Sequence, residues 1–397
     1  MVCPNLPYPP DEGVKIKLYN LIKNLSDKHN ISLLCYAGSG DQEKQVSHMK
    51  AYCESIYLVQ RKKISKTKQL PSIAKYLFLR LPWNVKYAKS KDMQDAILKI
   101  TKANPFDILH IDDVFMASNL DLSSHYSFKK AITFQDIESI NYRRTFKIEK
   151  NPYQKMLFLL NWLAMRSWER KIIENFDLTV TVSPIELRIL ESMYPKANIA
   201  FIPNGVDIES FNPLPVTDNE DSLLFIGKMD YSPNIDGAVY FAKRIFPLIK
   251  REIPNTKLMI VGQNPKKALE KLKSDPSVSV TGYVESVIPY YKRSSVAIVP
   301  LRAGGGTRGK ILEAMALGRP VVSTSLGAEG LEATHKENIM IADKDEDFAR
   351  YVIDLMKNMS LRKNLIEKAR EFVEARYDWR EVAKGLDRAY REMFLKS

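Results

Sequence analysis

The 397-residue sequence predicts an α/β protein made of two Rossmann-like, doubly wound domains facing a cleft. Three observations predict it. Short apolar runs alternate with amphipathic helical patterns along the whole chain, the signature of parallel strands covered by helices. The runs fall into two sets on either side of a polar, proline-containing stretch. The length suits two or three domains of ordinary size.

The first domain is placed at residues 1–212. Met1–Cys3 reads as the end of a first strand, which puts the true start upstream of Met1. Further strands are expected at Ile31–Cys35, Ile56–Val59, Ile108–Ile111, Ala131–Phe134, Leu178–Val182 and Ile199–Ile202. The stretch 213–222 holds Pro213, Pro215, Asp218, Glu220 and Asp221 and no aromatic residue, the composition of a linker. The second domain follows at 222–377, with strands at Leu223–Ile226, Leu258–Val261, Val278–Val280, Val296–Val299, Val321–Ser323 and Ile339–Ile341. Between the first two, Ala238, Phe241, Ala242, Ile245 and Ile249 recur at helical spacing, so Ile235–Arg251 reads as one helix. In sheets of this kind ligands bind outside the carboxyl ends of the strands.

Composition narrows the function. Cys3, Cys35 and Cys53 form no Cys-x-x-Cys, so neither a disulfide scaffold nor a zinc ribbon is expected, and a reducing cytoplasm fits. No apolar run reaches the ~18 residues of a membrane span, and the prolines at 4, 7, 9 and 10 break any signal-peptide core. The net charge of +13 is concentrated: Arg61–Lys91 holds ten Lys/Arg and no acid, and the remaining residues are nearly balanced, 50 basic against 47 acidic. A nucleic-acid coat is therefore not indicated. The basic stretch, interleaved with Tyr76, Phe78, Trp83 and Tyr87, suits either an anionic membrane surface or a solvated helix face over core aromatics.

The most informative stretch is Val296–Ser325, read as strand, glycine-rich loop, helix, turn and strand. Gly304, Gly305, Gly306 and Gly309 allow close backbone approach, and the helix beginning at Lys310 presents its amino terminus to the loop. That is an anion site, most naturally for phosphate, with Arg302, Arg308 and Lys310 adding charge. Glu313 can accept from the vicinal hydroxyls of a ribose. A P-loop is the rival reading, but Ile311 stands where Ser or Thr would hold magnesium. Asp343-Lys344-Asp345 reads as loop charge, with no metal site expected.

These residues resemble the donor-site signature of family-4, group 1 glycosyltransferases of the GT-B fold, in the exopolysaccharide type of sugar transferase. Lys310–Val322 (KILEAMALGRPVV) is the most specific match. PNGVD at Pro203–Asp207, TVTVSPIEL from Thr179, PYPPDEG at Pro7–Gly13 and FIGKMDYSPNIDG from Phe225 are also similar. The resemblance implies transfer of a hexosyl group from a nucleotide diphosphate sugar to a glycan or lipid-linked acceptor in cell-surface polysaccharide synthesis, with retention. It implies an amino-terminal acceptor domain, a carboxyl-terminal donor domain, and a last helix, within 378–397, that crosses back to the first domain. No cofactor or metal is implied. Gly227, Lys228, Gly305, Gly306, Thr307 and Glu313 are the implied donor-binding residues, and His110, Arg308 and Lys310 the implied catalytic ones. Gly13, Asp112, Asp136 and Glu138 are candidates for the acceptor or the edge of the cleft. The family's Glu-x7-Glu keeps only Glu313, with Gly305 in the first place. Asn234 stands where a second cation is usual, six residues after Lys228. Asp112 replaces the second His of a His-x-His begun by His110. His110 is open to two readings, a sugar contact or a structural hydrogen-bonder. A sugar-nucleotide epimerase and an inactive nucleotide-sugar-binding partner are the alternative functions. The expected location is cytoplasmic, peripheral on the inner face of the cytoplasmic membrane through residues 61–91.

Overall fold

The computed structural model describes the chain apart from residues 39–41, 62–80, 216–220, 305–308 and 396–397 and the side chain of Tyr87. It forms two compact units, Met1–Pro203 with Ala383–Ser397, and Asn204–Val382.

The sheet of the first unit has seven parallel strands: β1 (Val2–Cys3), β2 (Ser32–Tyr36), β3 (Ser55–Val59), β4 (Ile108–Ile111), β5 (Lys129–Phe134), β6 (Leu178–Thr181) and β7 (Ile199–Phe201). Their order is β3-β2-β1-β4-β5-β6-β7. Two-residue β1 is central, with Val2 registered against both Leu34 and Ile111. The order reverses at β1/β4, so the crevice for ligands lies at the carboxyl ends of those strands. The helix Gly13–Leu25 follows β1 and buries Leu18, Leu21, Ile22 and Leu25. The core of this unit includes Leu34, Ile111, Ile132, Phe134, Trp168 and Ile172.

The second unit repeats the plan with six parallel strands: β8 (Ser222–Ile226), β9 (Lys257–Val261), β10 (Val278–Val280), β11 (Val296–Val299), β12 (Val321–Ser323) and β13 (Met340–Ile341). Their order, β10-β9-β8-β11-β12-β13, reverses at β8/β11. The runs Leu-Leu-Phe, Leu-Met-Ile-Val and Val-Ala-Ile-Val are buried, as strands covered on both faces require.

Two elements depart from the sequence reading. The expected helix 235–251 is broken into Ser232–Tyr240, a π turn Phe241–Ile245, and Phe246–Glu252. Pro247 lacks an N–H and its ring crowds the carbonyl four residues back, and a π turn before it absorbs the misfit. The division between units falls at Pro203/Asn204, ahead of the 213–222 stretch. Residues 204–215 are held by the second unit: Val206 N–H donates to the Tyr377 carbonyl at 2.7 Å and Leu214 N–H to that of Leu317 at 3.0 Å. Arg319 donates to the Pro215 carbonyl at 3.0 Å.

The helix Trp379–Leu395 closes the chain, and its residues from Ala383 onward belong to the first unit. Leu386, Ala389, Tyr390 and Met393 are buried. Asp387 is met by His29 Nε2 at 2.9 Å.

Candidate functional site

In the second unit the β8/β11 reversal gathers the anion-site residues. Gly227 and Lys228 follow β8, and the loop after β11 leads to the helix Gly309–Ala316. Lys310 Nζ donates to Asn234 Oδ1 at 2.9 Å, and Asn234 Nδ2 donates to the Lys228 carbonyl at 2.9 Å. Asn234 is buried, and it ties the ammonium of Lys310 to the loop that follows β8. The same ammonium stands 4.7 Å from the centroid of the buried Phe225 ring. Tyr291, fully buried, donates to the Lys310 carbonyl at 3.1 Å and fixes the start of the helix. Lys228 is exposed.

Gly227 is required by crowding: a Cβ there would lie 2.7 Å from Asn234 Nδ2 and 2.9 Å from Lys310 Nζ. Gly262, at φ +154°, lies so close to Gly227 that a Cβ would fall 1.7 Å from its carbonyl oxygen. Glu313 sits one turn into the helix. Burial pushes its carboxyl upward from the ordinary value, and Lys310 opposes the shift. A Cβ at Gly309 would be in ordinary contact, 4.0 Å from Glu313 Oε1, so crowding does not require a glycine there.

Arg302 differs from the expectation that it adds charge to the anion site. Its guanidinium is paired in two-pronged fashion with Asp236, at 3.0 and 2.7 Å, and lies 3.9 Å over the Tyr240 ring. Asp345 accepts from Tyr240 and from Arg244, and Asp343 accepts from Ser325 through N at 2.8 Å and Oγ at 2.6 Å. The Asp-Lys-Asp turn thus anchors neighbouring loops. Gly305, Gly306, Thr307 and Arg308 lie outside the described residues.

In the first unit the carboxyl end of β4 carries His110 and Asp112, both buried. His110 Nδ1 is hydrogen-bonded to the Tyr390 hydroxyl and Nε2 to Thr133 Oγ1 at 2.8 Å. Burial holds its pKa down to about 3, so the ring is neutral. Both ring nitrogens are thus engaged within the first unit, the arrangement that the structural reading of His110 expects. Asp112 Oδ1 accepts from Gln135 Nε2 at 3.1 Å, and its buried Oδ2 has no partner. Lys17, buried on the first helix, donates to the Ile202 carbonyl at 3.1 Å. Burial brings its pKa down to about 8, opposed by the nearby Asp112 carboxylate.

Asp136 and Glu138 belong to a larger group of carboxylates. Glu186 accepts from Ile137 N–H at 2.8 Å and Glu169 from Ser139 N–H at 3.0 Å, capping the helix Glu138–Ile148 from outside. Burial first, and repulsion among Asp136, Glu169, Asp113 and Glu186, push Glu138 up to about 7. Burial likewise raises Glu169 and Glu186 to about 7 and Asp136 above its usual value. Gly13 opens the first helix with nothing within 4 Å of where a Cβ would stand, so no close approach requires a glycine there. Among the described residues no group of three or more His, Cys, Asp or Glu is arranged to hold a metal ion.

Sequence reasoning passed over Tyr291, Phe225, Gly262, Thr133 and Tyr390. Each acts through a partner distant in the chain, and no local pattern marks it. Glu169 and Glu186 carried no such signal either, since each stands in a helix with other charged residues.

Two family models match the chain. One described as Glycosyltransferase Family 4 covers residues 12–210, and one described as Glycosyl transferases group 1 covers residues 220–358. An "Uncharacterized 44.6 kDa protein in cps region" of Klebsiella pneumoniae is 23% identical over 396 residues, 97% of this chain and 98% of that protein. Among solved structures, sucrose-phosphate synthase from Thermosynechococcus elongatus superposes with a TM-score of 0.70 at 16% identity, covering 100% of this chain and 99% of that one. The structure of Anabaena Alr3699/HepE in complex with UDP and glucose gives a TM-score of 0.66 at 12% identity, covering 98% and 99%. At these identities the two structures speak for the fold alone.

Proposed function

The chain belongs to Glycosyltransferase Family 4, and from that membership we propose that it moves a hexosyl group from a nucleotide diphosphate sugar to a glycan or lipid-linked acceptor in cell-surface polysaccharide synthesis, with retention. The glycosyltransferase family and the α/β fold are the premises; donor, acceptor and stereochemistry are the proposal. The observation that carries it is the Lys310 ammonium, held at 2.9 Å by Asn234 at the β8/β11 reversal, beside Gly227 and at the amino terminus of the helix Gly309–Ala316. A cation, a helix terminus and side-chain-free backbone in one place suit a diphosphate. HepE, whose structure contains UDP and glucose, has the same fold and supports this reading.

In the mechanism that follows, Glu313 receives the ribose hydroxyls, and Lys310 and Lys228 are the cations for the diphosphate; Arg308, expected in the same role, lies outside the described residues. As the bond from sugar to diphosphate breaks, negative charge grows on the leaving group. Preorganised cations and N–H dipoles stabilise that charge more than they stabilise the ground state. The reading assigns this task to protein groups and includes no metal. The first unit takes the acceptor, with Asp112, Asp136 and Glu138 as the polar groups at its strand ends. A peripheral place on the inner face of the cytoplasmic membrane, through the basic stretch 61–91, completes the reading; of that stretch, residues 62–80 lie outside the described ones. No helix among the described residues is long and apolar enough to cross a membrane.

Titration calorimetry with uridine, guanosine and adenosine diphosphates in the presence of chelator tests the donor site. One of the three is expected to bind without divalent cations, and a ligand at about 100 times its dissociation constant adds ~2.7 kcal/mol of stability. Affinity that collapses on removing the cations overturns the metal-free assignment. Donor turnover measured with and without acceptor separates transfer from the epimerase and inactive-partner alternatives.

A further inference from the structure

We propose that the helical hairpin of Glu138–Ile148 and Pro152–Asn175 is a membrane-insertion surface, whose tip enters the interfacial layer of an anionic phospholipid bilayer. The proposal deepens the peripheral location just described, but the exposed apolar and basic side chains it rests on lie outside the 61–91 stretch. The second helix is built inside out near the tip. From Met156 to Leu163 its only fully buried side chain is the polar Asn161, whose Oδ1 accepts the Trp83 N–H at 3.2 Å. Four large apolar side chains of the hairpin are exposed, while Leu157, Phe158, Leu159, Leu160 and Trp162 are half-buried: Ile148 is 77% exposed, Tyr153 48%, Met156 45% and Leu163 51%. Isolated exposed apolar residues are ordinary, but four gathered on one hairpin mark an interaction surface.

Charge identifies what covers it. From Arg143 to Lys155 the hairpin carries Arg143, Arg144, Lys147, Lys150 and Lys155 against a single acid, Glu149. Arg143 lies 5.5 Å over the Trp162 ring and Lys155 5.4 Å over that of Phe146, so each long cation runs along an aromatic face. Apolar groups beside snorkelling cations and interfacial aromatics match the boundary between acyl chains and phosphates. A second copy of the chain is a poorer occupant. A twofold contact sets a patch against itself and would face five cations with the same five. Anionic headgroups neutralise them instead.

The test uses the full chain with Ile148→Cys carrying an environment-sensitive fluorophore; the native Cys3, Cys35 and Cys53 are buried. With phosphatidylglycerol-containing vesicles the label is expected to shift to the blue and to be quenched by nitroxide-labelled acyl chains, with no change on pure phosphatidylcholine. A double variant, Ile148→Glu with Leu163→Glu, should keep its far-ultraviolet circular dichroism and lose at least tenfold in vesicle affinity. Vesicle binding with the label still in water, and with the double variant bound as tightly as the parent, overturns the hairpin while leaving attachment through 61–91 standing. Absence of vesicle binding by the parent chain overturns both. A blue shift that grows with protein concentration in the absence of vesicles also overturns the proposal, in favour of self-association.

Discussion

Lys310 and Glu313 lie one turn apart on the same helix, yet they should fail differently. Glu313 is proposed to hold ribose hydroxyls, which are the same in the ground and transition states. Glu313→Gln should cost about 1.5–3 kcal/mol, mainly as a higher donor KM. Lys310 is proposed to face charge that grows as the sugar departs. Lys310→Ala should cost roughly 2.7–4 kcal/mol, mainly in kcat, by analogy with loss of one oxyanion-hole donor. Steady-state kinetics with varied donor decides the matter, and a reversed pattern would exchange the two roles. His110 makes the opposite kind of prediction. Removing the ring in His110→Ala leaves the Tyr390 and Thr133 hydroxyls buried and unpaired, at about 1–3 kcal/mol of stability. Urea unfolding should show that loss while turnover per folded molecule changes little. A tenfold fall in kcat at parental stability would return His110 to the chemistry.

At the scale of elements, the helix Glu138–Ile148 begins among carboxylates, and its stability should depend on pH in an unusual direction. Glu138, Glu169 and Glu186 titrate near 7 in the fold, against an ordinary value of 4.5. Between those values the folded chain holds protons that the unfolded chain has released, so stability falls as pH rises through 7 and is fully present below 4.5. His110, held down to about 3, opposes this below its ordinary value of 6.5, and Lys17, held down to about 8, opposes it near pH 8, so two groups stand against three. The urea midpoint should therefore rise from pH 8 to pH 6, and Glu138→Gln should flatten the rise. A midpoint that falls on acidification, as in ordinary acid denaturation, would contradict the origin assigned here. Strands were legible in the sequence because each is an apolar run between polar turns, as in Val296–Val299. The π turn was not, because the helical spacing of Phe241, Ile245 and Ile249 survives it. The Asn234–Lys310 bond joins residues 76 apart, and no local spacing encodes it. The engagement of His110 likewise depends on Tyr390, 280 residues away.

At the scale of the whole molecule, the net charge of +13 is largely the charge of one stretch, and long-range attraction should follow that stretch. Charge reversal at Arg61, Lys62, Lys63, Lys66 and Lys68 should weaken sedimentation with anionic vesicles and reduce its salt dependence, while turnover of a soluble acceptor is kept. Binding equal on neutral and anionic vesicles would remove the electrostatic basis. Composition marks the stretch where polar residues cluster, 213–222, whereas the compact units divide at Pro203/Asn204 because backbone hydrogen bonds tie Val206 to Tyr377 and Leu214 to Leu317. Another consequence follows from the return of Ala383–Ser397 to the first unit. Many proteins complete their first domain while the ribosome is still making the second. This chain cannot, because Tyr390, the partner of a buried histidine on β4, follows the whole second unit in the chain. Until the helix after the second unit is made, the first unit carries an open seam where Leu386, Tyr390 and Met393 will lie. A stop codon or frameshift within the second unit therefore damages the part of the protein that was translated before it.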